Sequence, residues 1–130
     1  MKVLTLAKVF PKYHPRAGEP TGFRDAFLSG RKIHTLRANV KGKFRDGDVV
    51  SVREWEGVPY RSKQVVIRDG VRIGLQHIVM SRKDGFVWGS IGGTVIAEND
   101  GLRWQDFTSW FFRGDGDYEG DIIHFTDFRY

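Results

Sequence analysis

Glycine-bearing turns recur so often along this chain that no regular element can run far before it must reverse or break. Asp46-Gly47-Asp48, Glu56-Gly57-Val58-Pro59, Asp69-Gly70, Lys83-Asp84-Gly85 and Gly92-Gly93 punctuate its middle. Glycine and short polar side chains tolerate the backbone that a reversal needs. The segments between are brief and alternate apolar with polar residues, the period of a strand with one buried face. Lys2–Phe10, Lys32–Arg37, Val49–Trp55, Ser62–Arg68, Val71–Met80, Phe86–Ile91 and Gly120–Phe128 read in this way. Asp69-Gly70, set between two such runs, is the strongest hairpin signal.

Only two segments carry helical spacing. Thr21–Ser29 has Thr21 as N-cap, Phe23, Ala26 and Phe27 on one face, and Gly30 at the position that ends a helix. Asn99 or Asp100 caps the second, whose periodic positions are Leu102, Asp106, Phe107, Trp110 and Phe111. Thr94–Ala97 is a short apolar patch, and Pro11–Pro20 an irregular connection. Six or seven short strands with two short helices make the chain mainly β (α+β), and strands of this kind close into small barrels or stack as sandwiches. A small barrel, as one domain over residues 1–130, is the expectation.

With 40% hydrophobic residues in 130, the chain can bury one core without staples. The absence of cysteine removes disulfide scaffolds, thiolate zinc sites and thiol catalysis. No apolar run approaches the ~18 residues of a membrane span, so no membrane partner and a cytoplasmic location are expected. The net charge of +5 is unevenly spread: residues 1–83 hold 18 Lys and Arg against 7 Asp and Glu, while residues 84–130 hold 3 against 9. Thirteen of the 21 cations are arginine, whose planar fork suits phosphates and base edges. The basic part fits a polyanionic partner, or else an ordinary solvated face.

The densest chemistry lies at Gly30-Arg31-Lys32-Ile33-His34-Thr35-Leu36-Arg37, where a helix end runs into a strand. Lys32, Thr35 and Arg37 bring an ammonium, a hydroxyl and a guanidinium close in sequence, a set that can bind a phosphate or carbonyl oxygen. The bland reading is a helix end followed by an edge strand with solvated charges. In a flat strand Lys32 and Thr35 point to opposite faces, whereas Thr35 and Arg37 share one. Lys32 can therefore work with Thr35 only from the turn after Gly30.

The pattern Gly30-x-Lys32-x-x-Thr35-x-Arg37 resembles the signature of the ASCH domain family, small β-barrels of the PUA-like superfamily. The context fits as well: a preceding helix at Thr21–Ser29, the Asp46-Gly47-Asp48 turn, and a late helix before a closing strand. The resemblance implies recognition of RNA, or of a nucleotide or modified nucleoside, in a basic cleft. It also implies an alternative, since some members hydrolyse N4-acylated cytidine and others are assigned ribonuclease activity. Carried onto this chain, the hydrolase set is Lys32, Thr35 and Asp100, with Glu98 as the fallback carboxylate. The family has Glu at the third position, and Asp100 is one methylene shorter. Asp100 also reads as a plain cap of the late helix. A third reading is a protein-interaction domain with a vestigial cleft.

Aromatic residues interleave with cations at Arg53-Glu54-Trp55, Tyr60-Arg61 and Phe86-Val87-Trp88, as in base-stacking surfaces. Trp55 is the candidate site wall, while Phe86, Trp110 and Phe111 read as core or hydrophobic rim. His34, inside the motif, is a candidate ligand contact together with Arg37, Trp55 and Glu98. Asp115–Gly120 imitates the first half of a calcium loop, but Thr126 stands where the bidentate acid belongs. Gly89–Gly93 lacks the Gly-Lys-Ser/Thr ending of a phosphate loop. The histidines at 14, 34, 77 and 124 have no metal-ligand spacing. Neither a metal nor a cofactor is expected.

Overall fold

The computed structural model describes residues 1–81, 86–87, 91–113 and 117–130. Its strands are β1 (Lys2–Thr5), β2 (His34–Arg37), β3 (Val49–Trp55), β4 (Gln64–Arg72), β5 (Gly74–Met80), β6 (Phe86–Val87), β7 (Ile91–Gly92) and β8 (Tyr118–His124). Three helices accompany them: α1 (Phe23–Leu28), α2 (Gly93–Asn99) and α3 (Trp104–Phe111). The chain is therefore mainly β, and two sheets carry it. One has the order β1-β3-β4 and the other β2-β8-β5-β6-β7. No ladder among the described residues joins the two sheets into a closed barrel.

The expected hairpin at Asp69-Gly70 is absent. Gly70, at φ +74°, sits inside β4 rather than between two strands. Val50 faces Val71 and Val52 faces Arg68, so β4 spends one more residue than β3 over that interval. This is a β-bulge whose left-handed residue is glycine. Both a turn glycine and a bulge glycine need positive φ, which is why the sequence signal pointed to the commoner feature. The strand then runs on, and only Ile73 separates β4 from β5. Ile73 still donates to Asp48 O and accepts from Gly47 N (2.8 Å each), while Gly74 already pairs with His124 of the other sheet. A single strand thus turns the corner between two packed sheets.

The core fills the space inside that corner. Leu4, Val50 and Val52 of the first sheet meet Ile78, Met80, Ile122 and Ile123 of the second, with Phe27 of α1 and Phe107 of α3 closing the ends. Thr94–Ala97, a bare apolar patch in the sequence, is the body of α2, which buries Ile96 and Ala97. Three β-branched or small polar residues in so short a helix give no propensity signal; packing of one face decides it. The segments at 82–85, 88–90 and 114–116 lie outside the described residues, and with them the Lys83-Asp84-Gly85 turn, Trp88, part of Gly89–Gly93, the side chain of Phe86, and Asp115 and Gly116 of the calcium-loop imitation. Among the described residues no helix is long and apolar enough to cross a membrane, and no group of metal-ligating side chains is gathered.

β8 ends on a fully buried histidine with a consequence for stability. Burial, with His34 and Arg129 nearby, pushes His124 down to about 4 from 6.5. A histidine lowered in this way is bare in the folded state and protonated when unfolded between those two values. The unfolded chain then binds more protons, so folding stability falls as pH drops from 6.5 toward 4, with a one-proton slope of about 1.4 kcal/mol per pH unit. Urea midpoints across that window should show the slope in the wild type and lose it in His124→Gln. A midpoint independent of pH in the wild type would contradict the buried neutral ring.

Candidate ligand cleft

Lys32 lies where cooperation with the rest of the motif requires it, in the turn and not in the strand. Gly30 ends α1 at φ +82°, and the N–H groups of Arg31 and Lys32 both donate to Ala26 O (2.9 Å). Ile33 N–H then donates to Asn99 O (2.9 Å), crossing the end of α2 before β2 begins. The Lys32 side chain is fully buried. Its Nζ donates to Asp100 O at 2.7 Å and Oδ1 at 3.3 Å, and sits 4.0 Å from the centre of the Phe23 ring. Burial pushes the ammonium down from its ordinary value, and Asp100 opposes that shift.

Asp100 caps a helix, but a different one and from the other end. It is the C-cap of α2, with its N–H on Ile96 O and Ala97 O (2.9 and 3.1 Å), whereas α3 starts after Arg103 without a side-chain cap. The expectation of an N-cap for the late helix is therefore corrected. A cation at a helix C-terminus is favourable, so Lys32 stabilises the free carbonyl and the carboxylate together. Asp100 Oδ1 also accepts from His34 Nδ1 (3.2 Å). Oδ2 has no protein partner among the described residues.

Thr35, Arg37 and Asp100 meet in one cleft of about 250 Å³, walled by Phe23, Trp55, Tyr60, Trp110 and Phe111. The volume is somewhat below the ~300–1,000 Å³ of drug-sized ligand sites, so it suits one planar ring system rather than an extended ligand. Arg37 donates to Thr5 O from one guanidinium nitrogen. Burial lowers the guanidinium's pKa from the ordinary arginine value, and Asp100 opposes that shift. The Thr35 hydroxyl bonds no protein group among the described residues. The floor thus offers a cation, a hydroxyl and one carboxylate oxygen.

The sequence set divides cleanly. Thr35, Arg37, Trp55 and Asp100 line the cleft; Lys32 and His34 stand behind it, both touching Asp100. Glu98 is exposed and lines a separate groove with Arg31, Arg103 and Trp104, so the fallback carboxylate is not part of this site. Trp110 and Phe111, expected as core or rim, are half-buried, pack against the core and also wall the cleft. Spaced three and four residues after the fully buried Phe107, they flank it on the same helix face, so each packs one side against the core and turns the other to the cleft. Tyr60 is the other wall the motif did not name. It is 88% exposed, has φ +65°, and packs 5.1 Å from Trp55.

No family model matches this chain, and no curated protein or solved structure is significantly similar to it.

Proposed function

We propose that this cleft recognises a nucleobase, carried by RNA or presented as a nucleotide or modified nucleoside. One observation carries the reading: aromatic side chains from the end of β3, the β3–β4 loop and α3 wall a cleft whose floor is polar and mixed in charge. A base needs stacking surfaces for its faces and both donors and acceptors for its edge. Arg37 supplies donors, Asp100 Oδ2 an acceptor, and Thr35 either. The basic balance of residues 1–83 and the likeness of Gly30-x-Lys32-x-x-Thr35-x-Arg37 to the ASCH signature support the same reading.

The β3–β4 loop favours it further. Glu56 N–H donates to Lys63 O (2.8 Å), Gly57 N–H to Ser62 Oγ (2.9 Å), and Ser62 Oγ to Val58 O (2.9 Å). This tight loop holds Tyr60 in a left-handed conformation that costs a side chain on the order of 1 kcal/mol or more. Strain kept at an exposed ring beside a cleft fits a functional stacking surface.

A second reading, hydrolysis of an N4-acylated cytidine, is favoured by the meeting of the Thr35 hydroxyl and Asp100 Oδ2 in one cleft without protein partners. Lys32 is turned to Asp100, so in that reading it acts through the carboxylate.

Fluorescence of Trp55 and Trp110 gives the test. Titration with single-stranded RNA, cytidine, nucleotides and N4-acetylcytidine at about 150 mM salt should quench saturably, because contacts beyond phosphate pairing survive that screening. Trp55→Ala should weaken binding about 10-fold, the usual worth of one stacked base. Tyr60→Gly should weaken it similarly while raising the unfolding midpoint, since glycine adopts positive φ without strain. Signals that vanish at that salt would leave a protein-interaction domain. Product from N4-acetylcytidine, lost in Thr35→Val, would move the assignment to the hydrolase.

A further inference from the structure

Behind Asp100, away from the cleft, lies a second polar cluster that the proposed recognition does not use: His34, Asn99, Tyr130, Gln76 and His124. Its hydrogen positions follow from its geometry. Gln76 Oε1 accepts the Tyr130 main-chain N–H (3.0 Å), and Gln76 Nε2 donates to Tyr130 O (3.3 Å). An N–H must meet an oxygen, so the amide has one orientation. The same Oε1 lies 2.8 Å from His124 Nε2, which must then carry the proton. His124 Nδ1 is left bare, buried and without a partner among the described residues. Gln76 of β5 thus clamps Tyr130 by its backbone and fixes where its ring points.

That ring delivers its hydroxyl to His34 Nε2 at 2.6 Å and to Asn99 Nδ2 at 3.0 Å. At the other side of the imidazole, Nδ1 faces Asp100 Oδ1 (3.2 Å), and a carboxylate only accepts. His34 therefore carries its proton on Nδ1. Its bare Nε2 accepts a hydrogen bond from the Tyr130 hydroxyl, whose oxygen accepts in turn from Asn99. The two neighbouring histidines hold opposite tautomers.

We propose that Tyr130 is a positioning residue of the cleft: acting through His34, it orients the Asp100 carboxylate so that Oδ1 is occupied and Oδ2 alone meets a hydrogen-bond donor of the ligand. The ligand-facing part of this inference rests on the recognition reading above. Outer partners that fix a ring's tautomer and direction commonly control the group that does the binding. Without the Tyr130 hydroxyl, nothing else among the described residues holds Nε2, and the imidazole is free to exchange tautomers and give up its bond to Oδ1, which Lys32 Nζ alone then holds at 3.3 Å.

Tyr130→Phe keeps the ring and the Gln76 clamp and deletes only the hydroxyl. Nitrogen-15 spectra of the imidazoles, recorded without ligand, should show His34 protonated on Nδ1 and His124 on Nε2 in the wild type. Tyr130→Phe should move His34 toward a mixture and leave His124 unchanged. A His34 protonated on Nε2 in the wild type, or unaltered in the variant, overturns the relay. The second arm measures affinity for a short single-stranded RNA. Tyr130→Phe should lose about 2- to 10-fold, the worth of one hydrogen bond, but lose nothing in a His34→Asn background, where the amide N–H faces Asp100 without needing the hydroxyl. Equal losses in both backgrounds would mean a structural role only and would refute positioning. Wild-type protein that binds no probe refutes the recognition reading, and the imidazole spectra then decide the relay by themselves.

Discussion

Lys32→Met should lose about 3–5 kcal/mol of folding stability, the loss expected when one member of a buried ion pair is removed and the other stays. Lys32 and Asp100 are each about 1% exposed and their charged atoms are 3.3 Å apart. The methionine would leave the Asp100 carboxylate and the Asp100 main-chain carbonyl without their cation. Asp100→Leu should cost a similar amount for the converse reason, since it strands an ammonium that burial already disfavours. The double variant Lys32→Met/Asp100→Leu should recover much of the loss, because it buries no charge at all. Urea denaturation of the three proteins measures this. Additive losses in the double variant, or single losses below about 1 kcal/mol, would place the pair in water rather than in the core.

The expected loss also bears on how the cleft can be tested. A domain of this size has about 5–15 kcal/mol to lose, so removing Lys32 or Asp100 outright confounds folding with chemistry. The motif made these two the natural choices for alanine substitution. Their burial transfers that test to Thr35, Trp55 and Tyr60, which line the cleft without anchoring a charge in the core.

What the sequence made legible follows from how local each signal was. Val49–Trp55, rich in valine and bounded by Asp46-Gly47-Asp48 and Glu56-Gly57, is β3 to the residue. Thr21–Ser29 contains α1, and Thr21 Oγ1 accepts from Phe23 N–H (3.2 Å) as a cap does, one residue before the structural N-cap Gly22. Thr35, Arg37 and Asp100 were named from a motif and its context, and the fold brings them to one cleft. What was not legible depends on the far side of a contact. Gly70 as a bulge requires knowing that β3 lies alongside. Asp100 as the end of α2 requires α2, whose seven residues carry no helical period of their own. Tyr130 shows no pattern at all; contacts distant in sequence, to Gln76 fifty-four positions away and to His34 and Asn99, give it a place.

Gly120→Ala should be the most damaging single-methyl addition described here. Gly120 is buried in β8 and pairs with Ile78 of β5. A Cβ at this position would lie 2.7 Å from the main-chain oxygen of Arg37 and 2.7 Å from the Tyr118 hydroxyl. The first obstacle is backbone of β2, held in register with β8 through Arg37↔Asp121, and cannot swing aside. The second belongs to a ring packed 5.2 Å from Phe111, a cleft wall. Overpacking of this kind costs about 1–3 kcal/mol, and relief by pushing β2 outward would carry Arg37 away from the cleft. Gly74→Ala makes the control. The added methyl there meets only the guanidinium end of Arg129, an exposed side chain that can move, so its cost should stay within about 0.5 kcal/mol. The two variants differ by one methyl each at buried strand positions, and only the first should lower both the urea midpoint and the affinity for RNA. Equal, small effects at both positions would mean that β2 does not end against Gly120, and that the floor of the cleft is not held by the β2–β8 ladder.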